Sequence, residues 1–307
     1  MIIEKEELAQ LIIGMHAAFS RGENAMAWAR ANSKSGDKNS TVSTLIAYDL
    51  QSGSYVDAAR KNPEYTNAWC EQLSELVKPY VDTGGRILEV GVGEGTTFAG
   101  VLRRLKGLNI SAYGFDLSWS RVSIARSWIE SQEVLANLFV GDLFRIPLRD
   151  NSIDVVYTSH SLEPNGGKEE IAIKELLRVA RNAVVLVEPC YELASEEARK
   201  RMLDHGYVRS LKAVAESLGA HVEDYRLLDV YSNSLNRSGV IALTKPRSSE
   251  ICVTQGEEWA CPLTGALLSI RDGCHFAADV GIAYPTLQGI PLLRAEHAVV
   301  ASKFGTD

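Results

Sequence analysis

Three carboxylates stand at the ends of successive apolar runs: Glu89 within residues 86–90, Asp116 just after 110–115, and Asp142 just after 135–140. Between the first two lies Gly91-Val92-Gly93-Glu94-Gly95, and a helix-like segment opens at Thr96. A short apolar run that ends in a glycine-punctuated turn and a helix is how a buried parallel strand brings its C-terminal end to a ligand. Glycines at 91, 93 and 95 allow close backbone approach. A carboxylate at such a tip can accept two hydrogen bonds from the hydroxyls of a ribose. The nicotinamide fingerprint G-x-G-x-x-G would place its third glycine at position 96, where this chain has Thr96. Taken singly, each acid also fits a structural role: an N-cap for Glu89, the cap of the next helix for Asp116, a turn for Asp142. All three in order at the tips of neighbouring strands point to a ligand site.

The elements that must position these acids follow from periodicity. Residues 4–20 read as an amphipathic helix with Leu8, Leu11, Ile12, Met15 and Phe19 on one face. A polar stretch at 33–40 predicts a loop, and a second helical pattern follows. Asn62-Pro63-Glu64 then starts a helix carrying Tyr65, Trp69, Leu73, Leu76 and Val77, which Pro79 ends. From residue 86 onward, apolar runs alternate with helical segments, the pattern of an α/β parallel sheet. Strands are expected at 86–90, 110–115, 135–140, 153–157 and 183–187, with helices at 96–105 and 118–131. A long helix with Ala198, Met202, Leu211, Val214 and Leu218 is interrupted near Gly206. Residues 222–230 and 238–244 read as two more strands. Their connection, Tyr231 to Asn236, is too short for a crossover helix, so this last pair is antiparallel.

Composition sets broad limits. At 307 residues with 46% hydrophobic content, the chain can bury a large core and a smaller one. A formal charge of -7 with scattered cations argues against a nucleic-acid partner. The acidic start and the short apolar run Leu11-Ile12-Ile13 predict neither a signal peptide nor a membrane span. Five cysteines without framework spacing fit a reducing compartment, with the cytoplasm as the expectation.

Glu-x-Gly-x-Gly-x-Gly at 89–95, together with five parallel strands closed by an antiparallel pair, resembles class I S-adenosylmethionine-dependent methyltransferases over about residues 48–245. The resemblance implies a Rossmann-like seven-stranded sheet and S-adenosyl-L-methionine as cofactor. It assigns Gly91, Gly93 and Gly95 to the methionine carboxylate, Glu89 to the ammonium and Asp116, followed by Leu117, to the ribose. Asp142 and Leu143 would hold the adenine, and Ser159 would border the sulfonium. Tyr48 and Tyr55 are lid candidates, with core packing as the alternative. Methyl transfer needs an acceptor placed in line behind the methyl group, and a base if the acceptor must lose a proton. His160 is the candidate base. Glu163, Asn165, Tyr191, Glu192, His205 and Tyr207 are candidate substrate contacts, and Glu188 lies beside them in sequence. Pro164-Asn165-Gly166-Gly167 reads either as an anion-binding turn or as a plain one. Cys190 reads as a structural thiol.

The tail carries Cys261-Pro262-Leu263-Thr264-Gly265-Ala266-Leu267, then Tyr284-Pro285 and Gly289-Ile290-Pro291. It resembles the small zinc-ribbon-like activator of tRNA and protein methyltransferases. A zinc ribbon wants two Cys-x-x-Cys knuckles. Thr264 fills one ligand position, and Ala277 and Ala278 fill the second pair, so no metal is expected. Cys252, Cys261, Cys274 and His275 form an alternative ligand set. The expected organisation is a helical cap at 1–80, a cofactor domain at 81–246 and a degenerate zinc-ribbon-like β-rich module at 247–307 that caps the pocket or mediates a homodimer. The expected activity is methyl transfer to oxygen or nitrogen of a small polar metabolite, such as a sugar or amino-sugar precursor. The alternatives are a tRNA or protein methyltransferase and a non-catalytic cofactor-binding scaffold.

Overall fold

The computed structural model describes residues 5–32, 40–245 and 256–304. The expected loop at 33–40 falls almost wholly outside them, as do Cys252 and most of the stretch joining the sheet to the tail.

Five helices precede the sheet: α1 (Lys5–Ser20), α2 (Ala25–Asn32), α3 (Thr41–Leu50), α4 (Ser54–Lys61) and α5 (Pro63–Val77). The first three bury Met15, Ala25, Ala29 and Ala47 in a small core of their own. By contrast, α5 places Trp69, Leu73 and Val77 in the core of the sheet. It therefore packs as part of the layer that covers the sheet, although it lies within the first 80 residues.

The sheet is built from β1 (Arg86–Val90), β2 (Ser111–Asp116), β3 (Asn137–Val140), β4 (Ile153–Ser159), β5 (Ala180–Pro189), β6 (His221–Leu227) and β7 (Ser238–Thr244). Its helices are α6 (Thr96–Leu105), α7 (Trp119–Ser131), α8 (Glu169–Val179), α9 (Glu196–His205) and α10 (Leu211–Ser217). Strand order is β3-β2-β1-β4-β5-β7-β6. The first five strands are parallel, while β7 runs antiparallel to both neighbours. Near-continuous burial of β1, β2 and β4 fits strands covered on both faces. Apolar cores lie on each side, one under α5, α6 and α7, the other under α8 and α10. The expected helix interruption is real: Gly206, at φ 69°, ends α9 in the left-handed conformation.

Beyond the sheet, β8 (Ser269–Arg271), β9 (Cys274–Ala277), β10 (Ile282–Tyr284) and β13 (Val299–Val300) form a four-stranded sheet. A hairpin of β11 (Thr286–Leu287) and β12 (Ile290–Pro291) accompanies it. This tail docks on the outer edge of β3. Leu292 pairs with Val140 in parallel, and the Leu293 N–H donates to the Val140 carbonyl at 2.8 Å. The Arg149 N–H donates to Glu258 O, and the Ala260 N–H to Pro147 O. Trp259 is buried between Phe139, Tyr113 and His275, and Tyr113 donates to the Glu258 carboxylate at 2.6 Å. The backbone of an edge strand that would otherwise offer unpaired groups is thereby covered.

Candidate active site

The topological switch lies between β1 and β4, where Val90 faces Thr158. Ligands of open α/β sheets bind at the carboxyl ends of the strands beside such a point. A cavity of about 690 Å³ opens there. It is walled by the β1, β2 and β4 tips, the loop after β3, the lid helices α3 and α4, and the start of α5.

The glycine turn is shaped by contacts that exclude side chains. Gly91 sits at φ 74°, and a Cβ there would lie 2.3 Å from that of Ser161. Gly95, at φ 72°, caps α6 and lets that helix approach Ala125 on α7. Glu89 is buried, accepting from Thr97 Oγ1 at 3.0 Å and Tyr157 OH at 2.7 Å. Burial pushes its carboxyl up to about 7, against those two hydrogen bonds. Asp116 accepts from the N–H groups of Gly93 and Ser118 at 3.1 and 3.0 Å. Burial raises its carboxyl too, against those bonds and the field of Arg121. Asp142 accepts from the Phe144 N–H at 2.9 Å and borders the cavity with Leu117, Leu143, Phe144 and Ser159. The three acids therefore share one hollow; Glu89 caps no helix, Ser118 rather than Asp116 is the N-cap of α7, and Asp142 holds its own turn.

Tyr48 and Tyr55 also border the cavity, and the lid that carries them is tied down at three points. The buried Glu94 carboxylate accepts from the N–H groups of Gly53, Tyr55 and Val56 at 2.8–3.0 Å, capping α4. Ser118 Oγ donates to Asp49 at 2.9 Å. Arg121 Nε donates to the Tyr48 carbonyl at 2.9 Å, and its guanidinium lies 4.7 and 4.6 Å from the two tyrosine rings.

His160, which also borders the cavity, adopts φ 58°. Its Nδ1 lies 2.8 Å from Glu163 Oε2 and its Nε2 2.6 Å from Ser238 Oγ. Trp69 packs against the ring at 5.8 Å. Burial opposes a charge on this imidazole, but the Glu163 hydrogen bond and the fields of Glu163 and Glu188 prevail, holding its pKa above the ordinary value. Glu163 also accepts from Asn236 Nδ2 at 3.3 Å and interacts with the Tyr207 hydroxyl. Glu188 lies buried beneath, accepting from the N–H groups of Ser161, Leu162 and Glu163 at 3.1 Å each. Burial pushes it up to about 7.

Glu163 and Asn165 border the cavity, while Tyr191 and Glu192 line a separate shallow depression beside Arg199 and Arg209. His205 and Tyr207 meet edge to face at 5.5 Å and are not among the residues lining the main cavity. The turn at 164–167 does not offer a set of free N–H groups: those of Asn165 and Gly166 donate to Leu162 O and Gly206 O. Cys190 is buried and its thiol is pushed up to about 12 by burial, as suits a structural group. No residue of 256–304 borders the cavity among the described residues, so the tail's place is the sheet edge. Among those residues no group of three or more His, Cys, Asp or Glu is arranged to hold a metal ion, and no helix is long and apolar enough to cross a membrane.

Sequence reasoning missed Glu94, Arg121, Ser161, Asn236 and Ser238. Glu94 had a visible signal, an acid inside the glycine turn, and Ser161 stands beside His160; Arg121, Asn236 and Ser238 come from α7, from the connection after β6 and from β7, whose approach no local spacing records.

This strand order and a strand-tip cavity edged with acids define a class I methyltransferase fold. Residues 87–183 match the family model described as a methyltransferase domain. Residues 87–183 are thus a methyltransferase domain, and S-adenosylmethionine is its cofactor. Solved structures share the fold at low identity. One is the complex of the Haloferax volcanii Trm112 methyltransferase activator with a methyltransferase of inferred activity. It matches at 17% identity, covering 65% of this chain and 97% of that one, with a TM-score of 0.50. Geranyl diphosphate C-methyltransferase from Streptomyces coelicolor, solved with S-adenosyl-L-homocysteine, matches at 9% identity over 58% and 80% of the two chains, with a TM-score of 0.45. A methyltransferase from Aquifex aeolicus matches at 18% identity over 56% and 88%, with a TM-score of 0.41.

The residues present fit the cofactor. Acceptors for hydroxyl and ammonium groups converge on one hollow, and two donors there, Arg121 Nη2 and Ser161 Oγ, are buried without a partner.

Proposed function

We propose that the enzyme methylates oxygen or nitrogen of a small polar metabolite, of the sugar or amino-sugar precursor class. The observation that carries this reading is the size of the cavity together with the helices held over one side of it. At about 690 Å³ it lies within the roughly 300–1,000 Å³ of small-molecule sites, and α3 and α4 are fastened over it. A folded RNA or protein acceptor would need an open approach, and the net charge of -7 disfavours a polyanion.

When bound, the cofactor supplies an electrophilic methyl group. Glu89, Asp116 and Asp142 with Gly91, Gly93, Gly95, Leu117, Leu143 and Ser159 hold it. The acceptor sits at the end formed by Glu163, Asn165, Ser232 and Asn236. Glu163 is the better candidate to take the acceptor's proton. Both ring nitrogens of His160 are engaged, which makes the imidazole a positioning group that fixes the carboxylate. The tail acts in cis as a degenerate activator module: its docking on β3 lies beside Val140, just before Asp142.

Incubation with methyl-labelled S-adenosylmethionine and cell extract, followed by size fractionation, tests the proposal. Label in the small-molecule pool is expected, and label confined to RNA or protein would overturn it. With the acceptor identified, Glu163→Gln should lower kcat more than His160→Asn does.

A further inference from the structure

Arg121 lies on α7, one turn beyond the Asp116 strand tip, and no motif in the sequence assigns it a role. It is 3% exposed and borders the cavity. Its Nε is spent on the Tyr48 carbonyl, its guanidinium carbon lies 4.7 and 4.6 Å from the ring centres of Tyr48 and Tyr55, and the Tyr55 hydroxyl also interacts with the group. Its Nη2 is buried with no hydrogen-bond partner, and no carboxylate of the described residues lies within ion-pair distance of the group. A buried cation with an idle donor costs stability unless something completes its shell. The cavity is where that partner would come from.

The neighbouring acceptor defines the chemistry. Asp116 Oδ2 takes the Gly93 N–H at 3.1 Å, and Arg121 Nη1 lies 3.8 Å from where a Cβ on Gly93 would stand. An acid and a guanidinium therefore flank the same residue at the edge of the cavity. A ligand carboxylate would meet Asp116 there, and a ligand ammonium would meet Arg121. A hydroxyl satisfies both, since it donates its proton to the carboxylate while accepting from the guanidinium. We infer that Arg121 is a cofactor-binding residue that donates through Nη2 to a ribose hydroxyl also held by Asp116, and that it thereby fastens the Tyr48–Tyr55 lid to the bound cofactor.

The inference rests on the cofactor, not on the proposed acceptor, so the acceptor's identity does not enter the test. S-adenosylhomocysteine and its 2′-deoxy and 3′-deoxy analogues are titrated calorimetrically into the wild type and Arg121→Met, with thermal melting of each protein alongside. Wild type should bind the parent about tenfold more tightly than one of the deoxy analogues. Arg121→Met should lose about tenfold on the parent and markedly less on that analogue. Amide exchange of residues 48–59 should slow on ligand binding in the wild type and much less in the variant. Equal losses by Arg121→Met for the parent and both analogues, or no loss at all, would overturn the inference. Should Arg121→Met fail to fold, Arg121→Lys keeps the charge but lacks Nη2 and completes the same cycle.

Discussion

His160, on the wall of the cavity, has a partner on each ring nitrogen, whereas His275, within the tail, has none on either. Both rings lie against a tryptophan, Trp69 in one case and Trp259 in the other. Their titrations move in opposite directions. The Glu163 and Glu188 carboxylates outweigh burial and raise His160, while burial alone lowers His275 to about 4. The contrast separates the two regions. Around His160, buried polar groups are linked into a network that holds charge in place. In the tail, a polar ring packs beside Trp259 with no hydrogen-bond partner on either nitrogen.

The comparison breaks most readily at Trp259. Trp259→Ala removes the side chain that joins Phe139, Tyr113 and His275, and should cost about 3–5 kcal/mol in urea unfolding. A loss below about 1 kcal/mol would mean that the tail is not part of the enzyme's core. Next in size is Glu94→Gln, which replaces a charged acceptor of three N–H groups and should cost about 1–3 kcal/mol. Proteolysis within residues 41–62 should accelerate. If cleavage there is unchanged, Glu94 does not hold the lid.

The smallest effect is in pH dependence, where the two histidines should be separable. A native pKa of about 4 for His275, below its unfolded value, gives stability that is complete above about pH 6.5 and is lost as pH falls toward 4. His275→Leu should flatten that acid limb. His160, raised, contributes stability that is complete below about pH 6.5 and lost as pH rises through its native pKa. Glu89 and Glu188, both near 7, lose theirs from about 4.5 upward through 7. Urea midpoints of His160→Asn between pH 6 and 8.5 should therefore fall less than those of the wild type. Identical slopes would show that the His160–Glu163 pair carries no charge coupling.

Much of this was legible in the sequence. Strand limits at 86–90 and 96–105 for the first strand and helix coincide with β1 and α6, because the apolar run and the glycine turn leave no alternative register. The short Tyr231–Asn236 connection correctly forced the antiparallel pair of β6 and β7. Co-location of Glu89, Asp116 and Asp142 followed from strand order alone. What escaped were contacts made by distance in space. Arg121, on a helix of weak amphipathicity, reads as an outward cation until α3 and α4 fold over it. The pairing of Ser238 with His160 joins β7 to the loop after β4 across 78 positions. Tyr191 and Glu192 sat where substrate loops follow a fifth strand, yet the turn after β5 aims them at a different depression.

The central claim is that acids at the tips of β1, β2 and β3 hold the cofactor. Calorimetric titration of S-adenosylhomocysteine into the wild type and Asp116→Ala tests it most directly. The account predicts one site per chain in the wild type and a loss of about 1–3 kcal/mol in a variant that still melts cooperatively. Unchanged affinity in Asp116→Ala, or no binding by the wild type, would contradict it.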